Sequence, residues 1–141
     1  MHVTKPILIV EDNEDDRLLL LEALGAIEKA NQVDFFSSGI DVLQYLDELP
    51  EEAAPSLLVI DYNMPILNGK QTLALIRSHK VHYDVPVVVY SSVSVPGMQD
   101  EFRDLNVLAC IEKGKNFTKL TEQVKFFFEL IADDVETLLG D

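Results

Sequence analysis

Short aliphatic runs recur along this chain at Ile7–Val10, Val33–Phe36, Leu57–Ile60, Val87–Tyr90 and Leu108–Ile111, and longer stretches between them space their apolar residues three and four apart. Four or five aliphatic or β-branched residues bounded by polar ones read as a strand, and the wider spacing reads as a helix with one apolar face. The pattern predicts helices over Asp15–Ala30, Gly39–Leu46, Lys70–His79, Pro96–Leu105 and Phe117–Leu139. The first, third and fourth runs are apolar throughout rather than alternating, as central strands covered on both faces must be. Strand–helix alternation with right-handed crossovers then gives an α/β fold, a doubly wound five-stranded parallel sheet of order 2-1-3-4-5 with five helices. Its switch point falls between the first and third strands.

Helix ends carry their own signals. Asn13-Glu-Asp-Asp16 reads as an acidic first turn of the first helix, and Asn116 reads as the cap of the last helix. In that helix Phe117, Leu120, Val124, Phe127, Phe128, Ile131, Val135 and Leu138 make one broad apolar face, which is expected to be core. Phe126 and Leu130 lie four apart and project away from it. They predict a small exposed apolar strip and a homodimer through the fourth helix, fifth strand and fifth helix.

With 141 residues, 48% of them hydrophobic, the chain is expected to form a single domain over 1–141 with no output domain. A net charge of −14 argues against nucleic acid and anionic membranes and favours protein partners or divalent cations. Cys110 is the sole cysteine, so neither an intrachain disulfide nor a cysteine metal cluster can form. The opening residues lead into an apolar run too short for a signal peptide or membrane span, which makes the cytoplasm the expected location.

The ends of the strands hold the chemistry. Glu11 and Asp12 follow the first run, Asp61 the third, Ser91 the fourth and Lys113 the fifth. In a parallel sheet these positions meet at one rim. Adjacent acids there repel one another unless a hard cation neutralises them, and Mg2+ takes oxygen ligands while keeping several waters. Asp12 and Asp61 as direct ligands, Glu11 through water and the backbone carbonyl of Asn63 would suffice. A strand-end Asp61 can also act as a nucleophile on phosphorus, with Lys113 and the Ser91 hydroxyl on the phosphoryl oxygens. Singly, each has a plain account: an acidic helix turn, an Asp opening a turn before Met64-Pro65, a turn serine, a surface lysine. The ordered conjunction favours the phosphoryl site.

Ile7-Leu-Ile-Val-Glu-Asp-Asn13, Leu58-Val-Ile-Asp-Tyr-Asn-Met-Pro65 with Asn68-Gly69, Pro86-Val-Val-Val-Tyr-Ser-Ser92 and Ile111-Glu-Lys113 together resemble the receiver domains of two-component response regulators over essentially the whole chain. The resemblance implies a CheY-like, flavodoxin-like fold and a phosphoacceptor signalling protein rather than an enzyme, assisting its own phosphorylation and autodephosphorylation at Asp61. It implies Mg2+ at Glu11 and Asp12, Ser91 as switch hydroxyl, Lys113 on the phosphoryl group, a sensor histidine kinase as donor and an unknown downstream protein as reader. Cys110-Ile-Glu-Lys-Gly-Lys-Asn-Phe-Thr-Lys-Leu120 and the long final helix look most like single-domain regulators paired with bacterial phytochrome-type histidine kinases.

Some positions depart from that pattern. Cys110 stands where the family usually has a switch aromatic, and Tyr90 either takes over part of that role or is core. Gly114 replaces the usual proline after the lysine, which predicts a trans peptide and a more mobile loop. Asn63 and Val93 occupy positions that modulate hydrolysis of the acyl phosphate in this family. An apolar Val93 cannot orient water, so slow hydrolysis is expected. The competing reading is a phosphorylation-independent adaptor on the same fold. Asn68-Gly-Lys-Gln-Thr72 lacks the Ser or Thr and the first glycine of a nucleotide-binding loop. A dehalogenase-type phosphatase would need Asp rather than Glu14 two places after Asp12. Asn116-Phe-Thr118 is better read as a cap than as a glycosylation site, and His2, His79 and His82 read as surface residues.

Overall fold

The computed structural model describes residues 6–92 and 96–139, with side chains as far as residue 132. Strands β1 (Ile7–Val10), β2 (Val33–Phe36), β3 (Leu57–Asp61), β4 (Val87–Ser91) and β5 (Ala109–Glu112) form one parallel sheet of order β2-β1-β3-β4-β5. Helices α1 (Glu14–Ala26), α2 (Gly39–Glu48), α3 (Gly69–Arg77), α4 (Met98–Glu101) and α5 (Phe117–Leu139) connect and follow the strands. Successive strand residues point to opposite faces, so each aliphatic run supplies two cores. Leu8, Val10, Leu58, Ile60, Val87 and Val89 pack with Leu46, Leu73 and Phe102 on one side, while Ile7, Ile9, Leu57, Val59 and Val88 pack with Leu24, Val124 and Phe127 on the other.

Side-chain caps fix where the helices begin. Asn13 accepts from the Asp16 amide at 2.9 Å, Ser38 from Asp41 at 3.0 Å and Asn116 from Lys119 at 2.9 Å. Asn68 and Gln71 form a reciprocal box at 2.8 and 2.9 Å. This leaves the start of α3 against the end of β3. A Cβ at Gly69 would lie 2.5 Å from the Asp61 carbonyl oxygen, so only glycine permits that approach.

Several expectations need correction. The helix expected over Pro96–Leu105 shrinks to Met98–Glu101 and a 3₁₀ turn at Arg103–Leu105. Gly97 enters it at φ +80°, and fully buried Phe102 at φ −100° pulls the chain inward. The first helix stops at Ala26 because Glu28 turns left-handed at φ +60°. His82 is 2% exposed with Nε2 2.7 Å from the Leu49 carbonyl oxygen, and His79 Nε2 lies 2.8 Å from Asp47 Oδ1. Both histidines therefore tie the end of α3 to α2 rather than lying free on the surface. His2 falls outside the described residues.

On α5, Leu120, Val124 and Phe127 are buried, whereas Phe117 at the helix start is exposed. Phe126 and Leu130 are not an open strip: both are half-buried against the core that α1 and α5 share. Their long side chains lean back onto neighbouring apolar atoms instead of extending into water. The side chains of Val135 and Leu138 fall outside the described residues. The α1 helix exposes Leu18, Leu19 and Leu21 as well as burying Leu20 and Leu24.

Ile66, between β3 and α3, is 86% exposed and held at φ +68°. A left-handed conformation costs a side chain with a Cβ about 1–2 kcal/mol, and exposure returns nothing for it. Ile66→Gly is therefore expected to raise unfolding stability by about 1 kcal/mol in urea titrations. An unchanged midpoint would mean that the loop relaxes at no cost.

Candidate functional site

The carboxyl ends of β1, β3, β4 and β5 bring Glu11, Asp61, Ser91 and Lys113 to one rim, as the order of the runs predicts. Glu11, Asp61 and Ser91 are buried. Lys113 Nζ lies 2.7 Å from Glu11 Oε1, 3.2 Å from Asp16 Oδ2 and 3.3 Å from Asp61 Oδ2. One ammonium thus serves three carboxylates. The Lys113 amide donates to the Ser91 carbonyl oxygen at 2.7 Å, which fixes the root of its side chain beside β4.

Each acid is held from the protein side. The Asn63 amide donates to Asp61 Oδ1 at 3.1 Å, and the Asn13 amide donates to Glu11 Oε2 at 3.1 Å. Glu11 Oε1 also accepts from the Tyr90 hydroxyl at 2.7 Å. Arg17 Nη1 donates to the Glu11 carbonyl oxygen at 2.8 Å, tying α1 to the end of β1.

Burial pushes the Asp61 carboxyl up to about 8, helped by its hydrogen bond to Glu11 and by the Glu11 charge, against the opposing effects of Lys113 and the Asn63 amide. Burial also acts to raise Glu11, but hydrogen bonds with Asp61, Lys113, Tyr90 and the Asn13 amide outweigh it and hold Glu11 below the usual carboxylate range. The two acids therefore divide their roles: Glu11 is ionised, and Asp61 keeps a proton near neutrality. Burial would lower Lys113, yet Glu11, Asp61 and Asp16 raise it, so the ammonium stays charged.

Carboxylate oxygens of Glu11, Asp12 and Asp61 lie within 4.8 Å of one another. An all-oxygen set containing one buried acid forced to keep its proton fits a hard divalent cation. Asn63 follows Asp61 closely enough for its amide to bond that carboxylate. Val93 lies outside the described residues.

Sequence reasoning missed several features. Asp16, one helical turn after Asp12, joins the Lys113 network. Tyr90 reaches Glu11 with its hydroxyl; the signal was a polar tip in an otherwise aliphatic strand. Tyr62, next to Asp61, donates to Glu101 Oε2 on α4 at 2.8 Å and sets its ring edge-on to Phe102. Cys110 is only half-buried on the same side. Finally, the loop at Gly114 is pinned rather than loose: its amide donates to Gln123 Oε1 at 2.9 Å, and Gln123 Nε2 donates to the Glu112 carbonyl oxygen. A Cβ there would lie 2.8 Å from the Leu120 amide nitrogen, so α5 packs onto a bare glycine.

The family model for the response regulator receiver domain matches residues 7–125. The chain belongs to that family. It is 32% identical to the phosphorylated cyanobacterial phytochrome response regulator RcpA, with a TM-score of 0.76 over 92% of this chain and 95% of that one. Response regulator Rcp1 of Synechocystis sp. is 26% identical over 86% of this chain and 84% of its own length. The Mn2+-bound form of Rcp1 superposes with a TM-score of 0.67 at 25% identity, over 84% of this chain and 87% of that one. A protein-glutamate methylesterase/protein-glutamine glutaminase of Clostridium acetobutylicum is 29% identical over 66% of this chain, which spans 25% of that larger protein. No helix among the described residues is long and apolar enough to cross a membrane.

Proposed function

We propose that this chain is a stand-alone response regulator that accepts a phosphoryl group on Asp61 from a histidine kinase and passes the signal on by altered protein contacts. The observation that carries the reading is the buried Asp61 carboxyl within 3.3 Å of Lys113 Nζ and grouped with Glu11 and Asp12. An Asp61 oxygen attacks the phosphorus of a phosphohistidine; the new P–O bond forms as the P–N bond breaks, and the imidazole leaves with the electron pair. Lys113 balances charge on the phosphoryl oxygens, and the Ser91 hydroxyl donates to one of them. Glu11, Asp12, Asp61 and the Asn63 carbonyl would hold Mg2+, which supplies charge neutralisation at the transferring group.

Kinship with RcpA and Rcp1 supports a phytochrome-type kinase as donor. The cytoplasm is the location this partnership requires. For the response, the hydrogen bond from Tyr62 to Glu101 offers a route from Asp61 to α4 that does not need an aromatic at Cys110. The face of α4, β5 and α5 is then where a downstream protein or a second copy docks.

Intact-protein mass after incubation with acetyl phosphate is the test. Wild type should gain one phosphoryl group only with Mg2+, and Asp61→Asn should gain none. No gain under any condition would favour the phosphorylation-independent adaptor, for which the missing aromatic at Cys110 is the supporting observation.

A further inference from the structure

We propose that Tyr90 is a positioning residue of the acidic pocket, its hydroxyl and ring together fixing Glu11 and Lys113 before a cation or phosphoryl group arrives. The inference rests on Asp61 being the phosphoacceptor and deepens that reading with a residue from outside the expected set.

Tyr90 pairs with Asp61 across β3 and β4, and its side chain lies on the sheet face that α1 and α5 cover. From there it passes beneath β3 to the end of β1, where its hydroxyl donates to Glu11 Oε1 at 2.7 Å. Lys113 Nζ reaches the same oxygen at 2.7 Å and sits 4.7 Å above the centre of the Tyr90 ring. One side chain thus holds the anion with its tip and floors the cation with its face.

The plainest account of a buried tyrosine is a core residue whose hydroxyl found a partner. Two facts go further. Phenylalanine or leucine would fill the same space with no polar atom to satisfy, and Tyr90 is 2% exposed. The partner is also the one oxygen that Lys113 shares. Lysine alone cannot fix Glu11, because its stem is flexible and its ammonium divides among Glu11, Asp16 and Asp61. A tyrosine has two side-chain torsions, and this one is buried in the core cluster that also holds Ile9, Leu20, Leu120 and Val124. With Oε1 held by Tyr90 and Oε2 by the Asn13 amide, the Glu11 carboxylate plane is set in advance.

Mn2+ binding to the full chain, followed by electron paramagnetic resonance, tests this in wild type, Tyr90→Phe, Glu11→Ala and the double variant. Initial rates with acetyl phosphate are measured alongside. Tyr90→Phe keeps the ring and is expected to weaken Mn2+ binding about tenfold, the typical loss when a ligand's supporting partner is removed. It should lower the maximal phosphorylation rate more than it changes the KM for acetyl phosphate. In the Glu11→Ala background the same replacement should change Mn2+ affinity by less than about twofold, since the group it positions is gone. Equal affinity in wild type and Tyr90→Phe, or an equal loss in both backgrounds, overturns the proposal. A wild type that neither binds Mn2+ nor gains a phosphoryl group overturns the phosphoacceptor reading as well, and that arm stands apart from the variants.

Discussion

In chelator, wild-type protein is expected to lose stability as the pH rises from about 5 to 8, and Asp61→Asn to remove most of that slope. The sign follows from Asp61. Its carboxyl titrates at about 8 in the folded chain and in the ordinary carboxylate range when unfolded. Between those values the folded state keeps a proton that the unfolded state has released, so stability falls with rising pH and the loss is complete above the folded value. Glu11 is shifted the other way and supports the fold above the ordinary range, losing that support only as pH falls through its lowered value. Its effect belongs to the acid limb and does not mask the slope near neutrality. The gain for Asp61→Asn at pH 8 should be on the order of 2–3 kcal/mol, or roughly 3 °C of melting temperature per kcal/mol. Adding Mg2+ at pH 8 should recover the loss in wild type and do little for the variant. Parallel pH profiles for the two proteins would show that Asp61 does not hold its proton.

The largest loss of stability is expected at a residue far less conspicuous in the sequence. Arg77, at the end of α3, donates through Nε to the Leu105 carbonyl oxygen at 2.7 Å and through Nη1 to those of Val85 at 2.7 Å and Tyr83 at 3.0 Å, while Nη2 reaches Asn106 at 3.2 Å. One guanidinium joins a helix end, the approach to β4 and the turn before β5. Hydrogen bonds to a charged group contribute more than neutral ones, and their loss leaves carbonyls unpaired, so Arg77→Ala should cost about 3–5 kcal/mol. Arg77→Lys keeps the charge without the planar fork and should recover less than half of that. Urea unfolding reads both, with the midpoint moving and the slope unchanged. A loss below about 1 kcal/mol would mean that water replaces the guanidinium at these carbonyls.

Strands were legible to within a residue because the buried central strands are apolar up to their last residues, Asp61 and Ser91, so the runs mark their own ends. The rim positions were legible for the same reason: Glu11, Asp61 and Ser91 directly follow a run, and Asp12 and Lys113 come one residue later. Legibility failed where tertiary packing decided. Nothing local in Pro96–Leu105 reveals that Phe102 must turn inward, although Gly97 marks the left-handed entry. The partner of Tyr90 lies two strands away, beyond β3, and depends on sheet order as well as on register. His82 looks like a surface residue in a sequence whose histidines show no ligand spacing, yet its ring meets the Leu49 carbonyl oxygen.

Asp61 keeps its proton beside the ionised Glu11, and Lys113 is divided between these two acids and Asp16. On the phosphoacceptor reading proposed above, a nucleophile masked in this way would be unmasked by the arrival of positive charge, and a phosphodonor reaching the pocket ahead of the cation would meet a carboxylic acid and not a carboxylate. On that reading the pocket would work as a coincidence gate, answering to two inputs together and staying silent to either one alone.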